Sequence, residues 1–165
     1  MQPLNVTMEK INCEAMIKPE ELRIGDYVRV CGDKCMIDKG KLCEVVGIDA
    51  EQTFEGKKGL ANLLPLDRDV WEMSHGTWCQ YIEGIPISLN FLVKNNFEKT
   101  EHETDEGGLE WHVYKHEDSC VEVLYYPQTD EFFAFYCSKR PCNIAYVHEL
   151  QNFLASVKEN IGITV

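Results

Sequence analysis

Residues 111–137, WHVYKHEDSCVEVLYYPQTDEFFAFYC, decide the fold of this chain. They contain three runs of β-branched and aromatic residues, at 111–115, 120–126 and 131–137. Side chains of these kinds fit a pleated, half-buried surface, whereas the Pro-Gln-Thr-Asp sequence between the last two runs favours a turn. The segment therefore predicts three antiparallel strands joined by two tight connections, a β-meander.

Helical periodicity follows the meander. Apolar residues recur at Val147, Leu150, Leu154, Val157 and Ile161, with polar residues between them,. An Asn and a Gly near residue 160 are expected to end the helix. An amphipathic helix must bury its apolar side, so we expect this C-terminal helix to cover one face of the meander.

The N-terminal half is also rich in strand-forming residues. Residues 22–30, 41–48 and 77–82 predict short strands, and the Gly, Pro and charges of 51–70 predict mainly loop,. Together they predict an SH3-like or curled antiparallel sheet.

Gly84 and Pro86 mark a boundary between the two halves. A short helix is expected over 89–94, because Ser88 suits an N-cap and the following Asn-Asn pair tolerates the left-handed conformation of a helix end,. The sequence thus predicts an α+β fold with a mostly-β lobe over 1–84. Helix, β-meander and C-terminal helix occupy 85–165, either as a second lobe or within one continuous domain.

Acidic residues dominate the charge. The chain has 28 acidic and 16 basic residues and a net charge of −12. Without a basic cluster, direct nucleic-acid binding is not expected. The acidic surface instead suits a host protein with a basic surface. The acidic residues expected to bind it, around a hairpin tip or mobile loop at 98–110, are Glu101, Glu103, Asp105, Glu106, Glu110, Glu117 and Asp118.

The predicted compartment is the cytoplasm of a bacterial host cell. No apolar stretch is long enough to span a bilayer, and charges interrupt residues 1–17, where a signal peptide needs an apolar block,. The eight cysteines are therefore expected to be reduced, with no bound cofactor,. The alternative is a structural zinc held by Cys31, Cys35, Cys137 and Cys142, whose spacings differ from the usual Cys-x₂-Cys pair.

Polar residues cluster on the C-terminal helix. The candidate ligand-binding residues are Tyr146, His148, Glu149, Gln151 and Asn152. They suit a small polar ligand, or else they anchor the helix to its neighbours. His112 and His116 lie on the same face of one predicted strand, about 13 Å apart, which is too far for them to share a metal. Both are expected to face solvent. No nucleophile-elbow, zinc-protease or phosphate-loop motif occurs, which favours a non-catalytic protein.

Three blocks of the sequence together carry a family resemblance. Residues 146–154 read YVHELQNFL, residues 85–97 read IPISLNFLVKNNF, and residues 22–28 read LRIGDYV. In this order they resemble an uncharacterised family of Bacteroidetes genomes and their phages, whose C-terminal helix carries Y-V-H-x-L-Q-N. This chain departs from the family pattern at Ser88, usually Thr, and at Asn96, usually Gly. The resemblance implies a shared fold and phage or mobile-element ancestry.

These observations lead to one functional expectation and two alternatives. We expect a non-catalytic phage- or mobile-element-type accessory protein that binds a host protein through an acidic surface. The first alternative is a protein that binds or sequesters a small, nucleotide-like ligand. The second is a cysteine-based metalloprotein or enzyme. The sequence indicates no oligomeric state.

Overall fold

A computed structural model describes residues 16–33, 35–67 and 73–165. It contains two five-stranded antiparallel sheets, a short helix and a longer C-terminal helix. The predicted α+β class is confirmed.

The first sheet is formed by the N-terminal half, after a 3₁₀ turn at Pro19–Glu21, and a second 3₁₀ turn at Cys79–Tyr81 precedes its last strand. Its strands are β1 (Tyr27–Val30), β2 (Leu42–Phe54), β3 (Lys57–Pro65), β4 (His75–Trp78) and β5 (Ile82–Gly84), in the spatial order β4-β3-β2-β1-β5. The prediction of mainly loop over 51–70 is wrong for residues 51–65, because β2 and β3 form a long hairpin there, and its last residues, 68–70, lie outside the described part of the chain. Glu55 and Gly56 make its turn with φ values of +50° and +76°.

The second sheet follows as an uninterrupted meander. Its strands are β6 (Phe97–Thr104), β7 (Glu110–His116), β8 (Val121–Tyr126), β9 (Glu131–Tyr136) and β10 (Lys139–Ile144), each paired with the next. The three predicted strands are confirmed, and one further strand flanks them on each side. The expectation of a loop over 98–110 is wrong for its first part, because residues up to Thr104 pair with β7 and 105–109 form the tip.

Both predicted helices are present. Helix α1 (Leu89–Lys94) starts where the Ser88 hydroxyl accepts a hydrogen bond from the Phe91 N–H at 3.2 Å. It ends before Asn96, which has the expected left-handed φ of +60°. Helix α2 (Val147–Val157) ends earlier than predicted, because Lys158 already adopts φ +61°.

Two core clusters lie on either side of residue 84. Residues of the first sheet, with Val28, Val45 and Leu63 fully buried, form one core. The other lies between the second sheet and the helices, with Leu150 of α2 fully buried. Helix α2 contacts β9 of the predicted meander, and it also contacts β10 and, in the first sheet, β1.

A short ladder of backbone hydrogen bonds joins the segment before α1 to the segment before α2. The Ile87 N–H donates to the Ala145 carbonyl at 2.9 Å, and the Val147 N–H donates to the Ile85 carbonyl at 2.8 Å. Gly84 allows this approach, because a Cβ there would lie 2.5 Å from the Tyr146 ring. The entry to α2 is thus fixed beside the exit from the first sheet.

Candidate functional site

Three residues of the predicted ligand cluster, Tyr146, His148 and Glu149, lie at the start of α2 and stabilise the fold there. The Glu149 carboxylate accepts hydrogen bonds from the backbone N–H groups of Ala145 (2.6 Å) and Tyr146 (3.1 Å) and so caps α2,. The Tyr146 ring packs on Gly84 and stacks on His148 with centroids 5.8 Å apart. His148 is buried, and its burial lowers the pKa of the imidazole.

Gln151 and Asn152 join α2 to the first sheet. The Gln151 amide accepts from the Tyr27 N–H and donates to the Gly25 carbonyl, both at 2.9 Å. The Asn152 amide donates to the Glu21 carbonyl at 3.0 Å. The two side chains therefore satisfy backbone groups of distant segments, which is the anchoring role that the sequence left open.

A small cavity of about 230 Å³ lies beside this junction. It is lined by Asp26, Gln151 and Asn152 among others, but not by His148. Asp26 accepts from the Arg23 N–H at 2.7 Å, and burial raises the pKa of its carboxyl to about 6. The Asn152 Oδ1 atom is buried without a hydrogen-bond partner among the described residues. Pockets for small organic ligands usually enclose about 300–1,000 Å³, so this cavity is smaller than most of them,.

The acidic residues predicted to bind a partner are divided between two places. Glu117 lies at the base of the β6–β7 hairpin, where its N–H donates to the Asn96 carbonyl at 3.1 Å, and Asp118 follows it. Strand β7 separates this pair from Glu110, by about 20 Å at the usual rise per residue,. The acidic residues therefore lie at both ends of the hairpin, and the expectation of a single patch combining 101–110 with Glu117 and Asp118 stays a prediction.

Strand register sorts the rest of the hairpin between two faces. Directly paired residues share a face of a sheet, and alternate residues along a strand point to opposite faces. His102 pairs with His112, in a row that continues through Tyr125 to the core residue Phe132. This side is called the inner face. The opposite side, called the outer face, carries the pairs Glu101–Val113 and Glu103–Trp111.

Apolar and aromatic side chains form a band across the outer face. Val113, Leu124 and Phe133 lie in one row of paired residues, and Tyr126 meets Phe133 edge to face with centroids 5.6 Å apart. With Trp111 they are called the outer aromatic band. No member belongs to either core cluster, and all except Val113 remain partly exposed.

Charged residues border the outer aromatic band. The acidic members of the outer face, called the acidic rim, are Glu98, Glu101, Glu103, Glu122 and Glu131. Among the described residues of this face, Lys115 is the one basic side chain in the paired rows. The outer face therefore combines an apolar centre with a negative border.

The two strand histidines do not face solvent as predicted. His116 is buried, packs edge to face on Phe97 at 5.1 Å, and accepts a hydrogen bond at Nδ1 from the Asp118 N–H. His112 is partly buried and lies 4.8 Å from the His102 ring. Burial, together with the charges of Lys99 and His102, lowers the pKa of His112. Spacing along one strand could not show this cross-strand neighbour, which depends on register.

The four cysteines of the alternative zinc site are not brought together. Within 16–33, 35–67 and 73–165, the one group of three or more side chains suited to a metal is His102, Glu110 and His112. Cys31 is disulfide-bonded, so the expectation that every thiol is reduced is wrong at this residue. Cys137 and Cys142 are free and exposed, far along the chain in the β9–β10 hairpin.

No known protein family, curated protein or solved structure matches the chain. The resemblance to the Bacteroidetes and phage family therefore stays a prediction. Among the described helices, none has the length and apolar content needed to cross a membrane.

Proposed function

We propose that this chain is a non-catalytic binding protein whose outer face docks a protein with a basic surface. The observation that carries the proposal is the outer aromatic band, a set of large apolar side chains outside both cores. The acidic rim around it supplies charge complementarity to a basic partner.

The composition of the outer face supports a protein as the occupant. Interfaces are enriched in Trp, Tyr and Phe at their centres and polar at their rims, and a few aromatic residues carry most of the binding energy. Trp111 and Phe133 have this character, and both are partly exposed. A sheet face with aromatic side chains outside the core gains free energy when a partner removes them from water.

Charge selects among possible occupants. A second copy of this chain would bring acidic rim against acidic rim, and a net charge of −12 opposes that approach,. Nucleic acid is disfavoured for the same reason. A partner with Lys and Arg around an apolar patch would be attracted at long range and held by the aromatic centre. The family resemblance suggests that this partner is a protein of the bacterial host cell.

Affinity capture from host lysate, with the wild-type chain and two single variants as baits, tests the proposal. Trp111→Ala should lose the captured protein, because it removes the largest side chain of the outer aromatic band. Phe54→Ala is the matched control, since Phe54 is an exposed aromatic of the first sheet, stacked on Trp78. Loss of the same protein with both variants, or with neither, would contradict the proposal.

Association rates with the captured protein then test the acidic rim. Glu101→Lys combined with Glu103→Lys should slow association, and the difference from wild type should shrink as salt shortens the Debye length. The control combines Glu117→Lys with Asp118→Lys, which changes charge equally at the far end of the hairpin. Equal slowing by both pairs would show that net charge, not the acidic rim, controls association.

A further inference from the structure

Three side chains with metal-binding atoms meet on the inner face of the β6–β7 hairpin. Register places His102 directly opposite His112, and Glu110 precedes His112 by two residues, on the same face. The two imidazole rings lie 4.8 Å apart at an interplanar angle of 89°. The His102 Nε2 atom lies 4.0 Å from Glu110 Oε1. One ligand atom from each side chain lies within 4.8 Å of the other two.

We propose that His102, Glu110 and His112 bind Zn²⁺ or a similar divalent transition metal. Tetrahedral ligands at bond lengths of about 2.0–2.1 Å lie about 3.3 Å from one another, so the atoms must approach by about 1 Å. Side-chain rotation is sufficient for this movement, because the side chains of His102 and Glu110 are 50% and 46% exposed. The strand register already places the three side chains next to one another on one face of the hairpin.

The ligand set selects the class of metal. Imidazole nitrogen binds zinc, copper, nickel and cobalt well, whereas Mg²⁺ and Ca²⁺ prefer oxygen ligands. Two histidines and one carboxylate are also the protein ligands of several zinc sites that keep a fourth position open. In this hairpin the fourth position would face solvent and hold water.

Neighbouring groups fix the Glu110 backbone and border the His112 ring. In the orientation that satisfies both of its groups, the Gln128 amide donates to the Glu110 carbonyl (3.1 Å) and accepts from the Glu110 N–H (2.9 Å). The Tyr125 ring lies 6.0 Å from the His112 ring on its other side. The Nδ1 atom of His112 is buried without a hydrogen-bond partner among the described residues. Such an atom costs free energy, which a metal bound at Nδ1 itself would offset.

Lys99 allows a test of how a neighbouring positive charge affects metal binding at this site. It pairs with Tyr114 on the same face, and its charge acts on His112. A bound dication would be repelled by this ammonium group. Lys99→Gln should therefore tighten Zn²⁺ binding by about two- to fivefold, as expected for removing one solvent-screened charge.

The decisive experiment uses the full chain after treatment with a chelator. Zn²⁺ affinity is measured by competition with a chromophoric chelator, and Co²⁺ is added as a spectroscopic probe. Wild type should bind one Co²⁺ at this site, with visible absorption bands typical of low coordination number. Loss of an outer partner of a metal ligand already costs about 10–100-fold in affinity. His102→Ala and His112→Ala should therefore each weaken Zn²⁺ binding by at least about tenfold, and Glu110→Gln should also weaken it.

Two controls make the result specific. His75→Ala removes a histidine of β4 in the other sheet and should leave the affinity unchanged. Cys120, Cys137 and Cys142 are exposed thiols that could bind Co²⁺, and a thiolate-to-cobalt absorption band would identify them as the ligands and overturn the proposal. Wild-type affinity in His102→Ala would overturn it equally. This variant is decisive if His112→Ala fails to fold, because His102 is half exposed.

Discussion

At the scale of the residue, Asp26 gives the clearest link between burial and pH. Its carboxyl is buried, which raises the pKa from 3.8 to about 6. The folded protein therefore binds this proton more tightly than the unfolded chain does. The stabilisation is fully present below about pH 4, and it is lost as pH rises through the folded pKa near 6,. At pH 7 the ionised group carries the full cost of burial.

Replacing Asp26 by Asn tests this relation. Asn keeps an oxygen that can accept from the Arg23 N–H and removes the charge. At neutral pH we expect the free energy of unfolding to rise by about 1–3 kcal/mol, since each pKa unit corresponds to about 1.4 kcal/mol. The dependence between about pH 4 and 6 should become flatter. Urea unfolding across this range measures both effects, with Asp38→Asn as an exposed control. Unchanged pH dependence in Asp26→Asn would contradict the assignment.

The sequence identified some residues of the candidate sites but not their contacts. It selected Gln151 and Asn152 through the helix signature, yet their backbone partners lie more than 120 residues away and could not be read from spacing. It considered His112 only along its own strand. The pairing with His102 depends on a bulge between Lys99 and Glu101, which changes the register by a residue. Long-range partners and bulges leave no local pattern.

At the scale of the element, the β6–β7 hairpin should show graded protection from amide exchange. Strand β6 is the edge of its sheet, and its residues after Phe97 are all exposed, although the strand pairs with β7. N–H groups bonded to β7 should exchange slowly, those directed to solvent should exchange quickly, and residues 106–107 at the tip should exchange fastest. Exchange measured by NMR, with the central strand β8 as reference, checks this. Uniformly fast exchange over 97–104 would show that the strand does not persist in solution.

The elements also show what local pattern can and cannot predict. Helix α1 was predicted at both ends, because Ser88 and the Asn pair act locally on the backbone. Strand β10 was missed, since Lys139 and Pro141 are atypical of strands and are tolerated only at an edge,. The second half of β2 and strand β3 were missed, because charges and glycines are frequent between residues 49 and 59.

At the scale of the whole molecule, Gln151 is the direct side-chain connection between α2 and the start of β1. Gln151→Leu keeps a similar volume but leaves the Tyr27 N–H and the Gly25 carbonyl without this partner. We expect a loss of about 2–4 kcal/mol, from two hydrogen bonds and the burial of unsatisfied groups. Thermal and urea unfolding measure the loss. Gln52→Leu is the exposed control within β2 and should change stability little,. Equal stability of the two variants would mean that water replaces the Gln151 contacts.

The length of chain between the two ends of this connection has a consequence for synthesis on the ribosome. The Gln151 contacts span 124 and 126 residues, so the Gly25–Tyr27 backbone is made long before its partner exists. At about 5–20 residues per second, the delay is roughly 6–25 s. During that interval the first sheet can form, but its junction with α2 stays open to water and to chaperones. The junction therefore cannot form before Gln151 is made, and slow codons between these segments would lengthen the exposure.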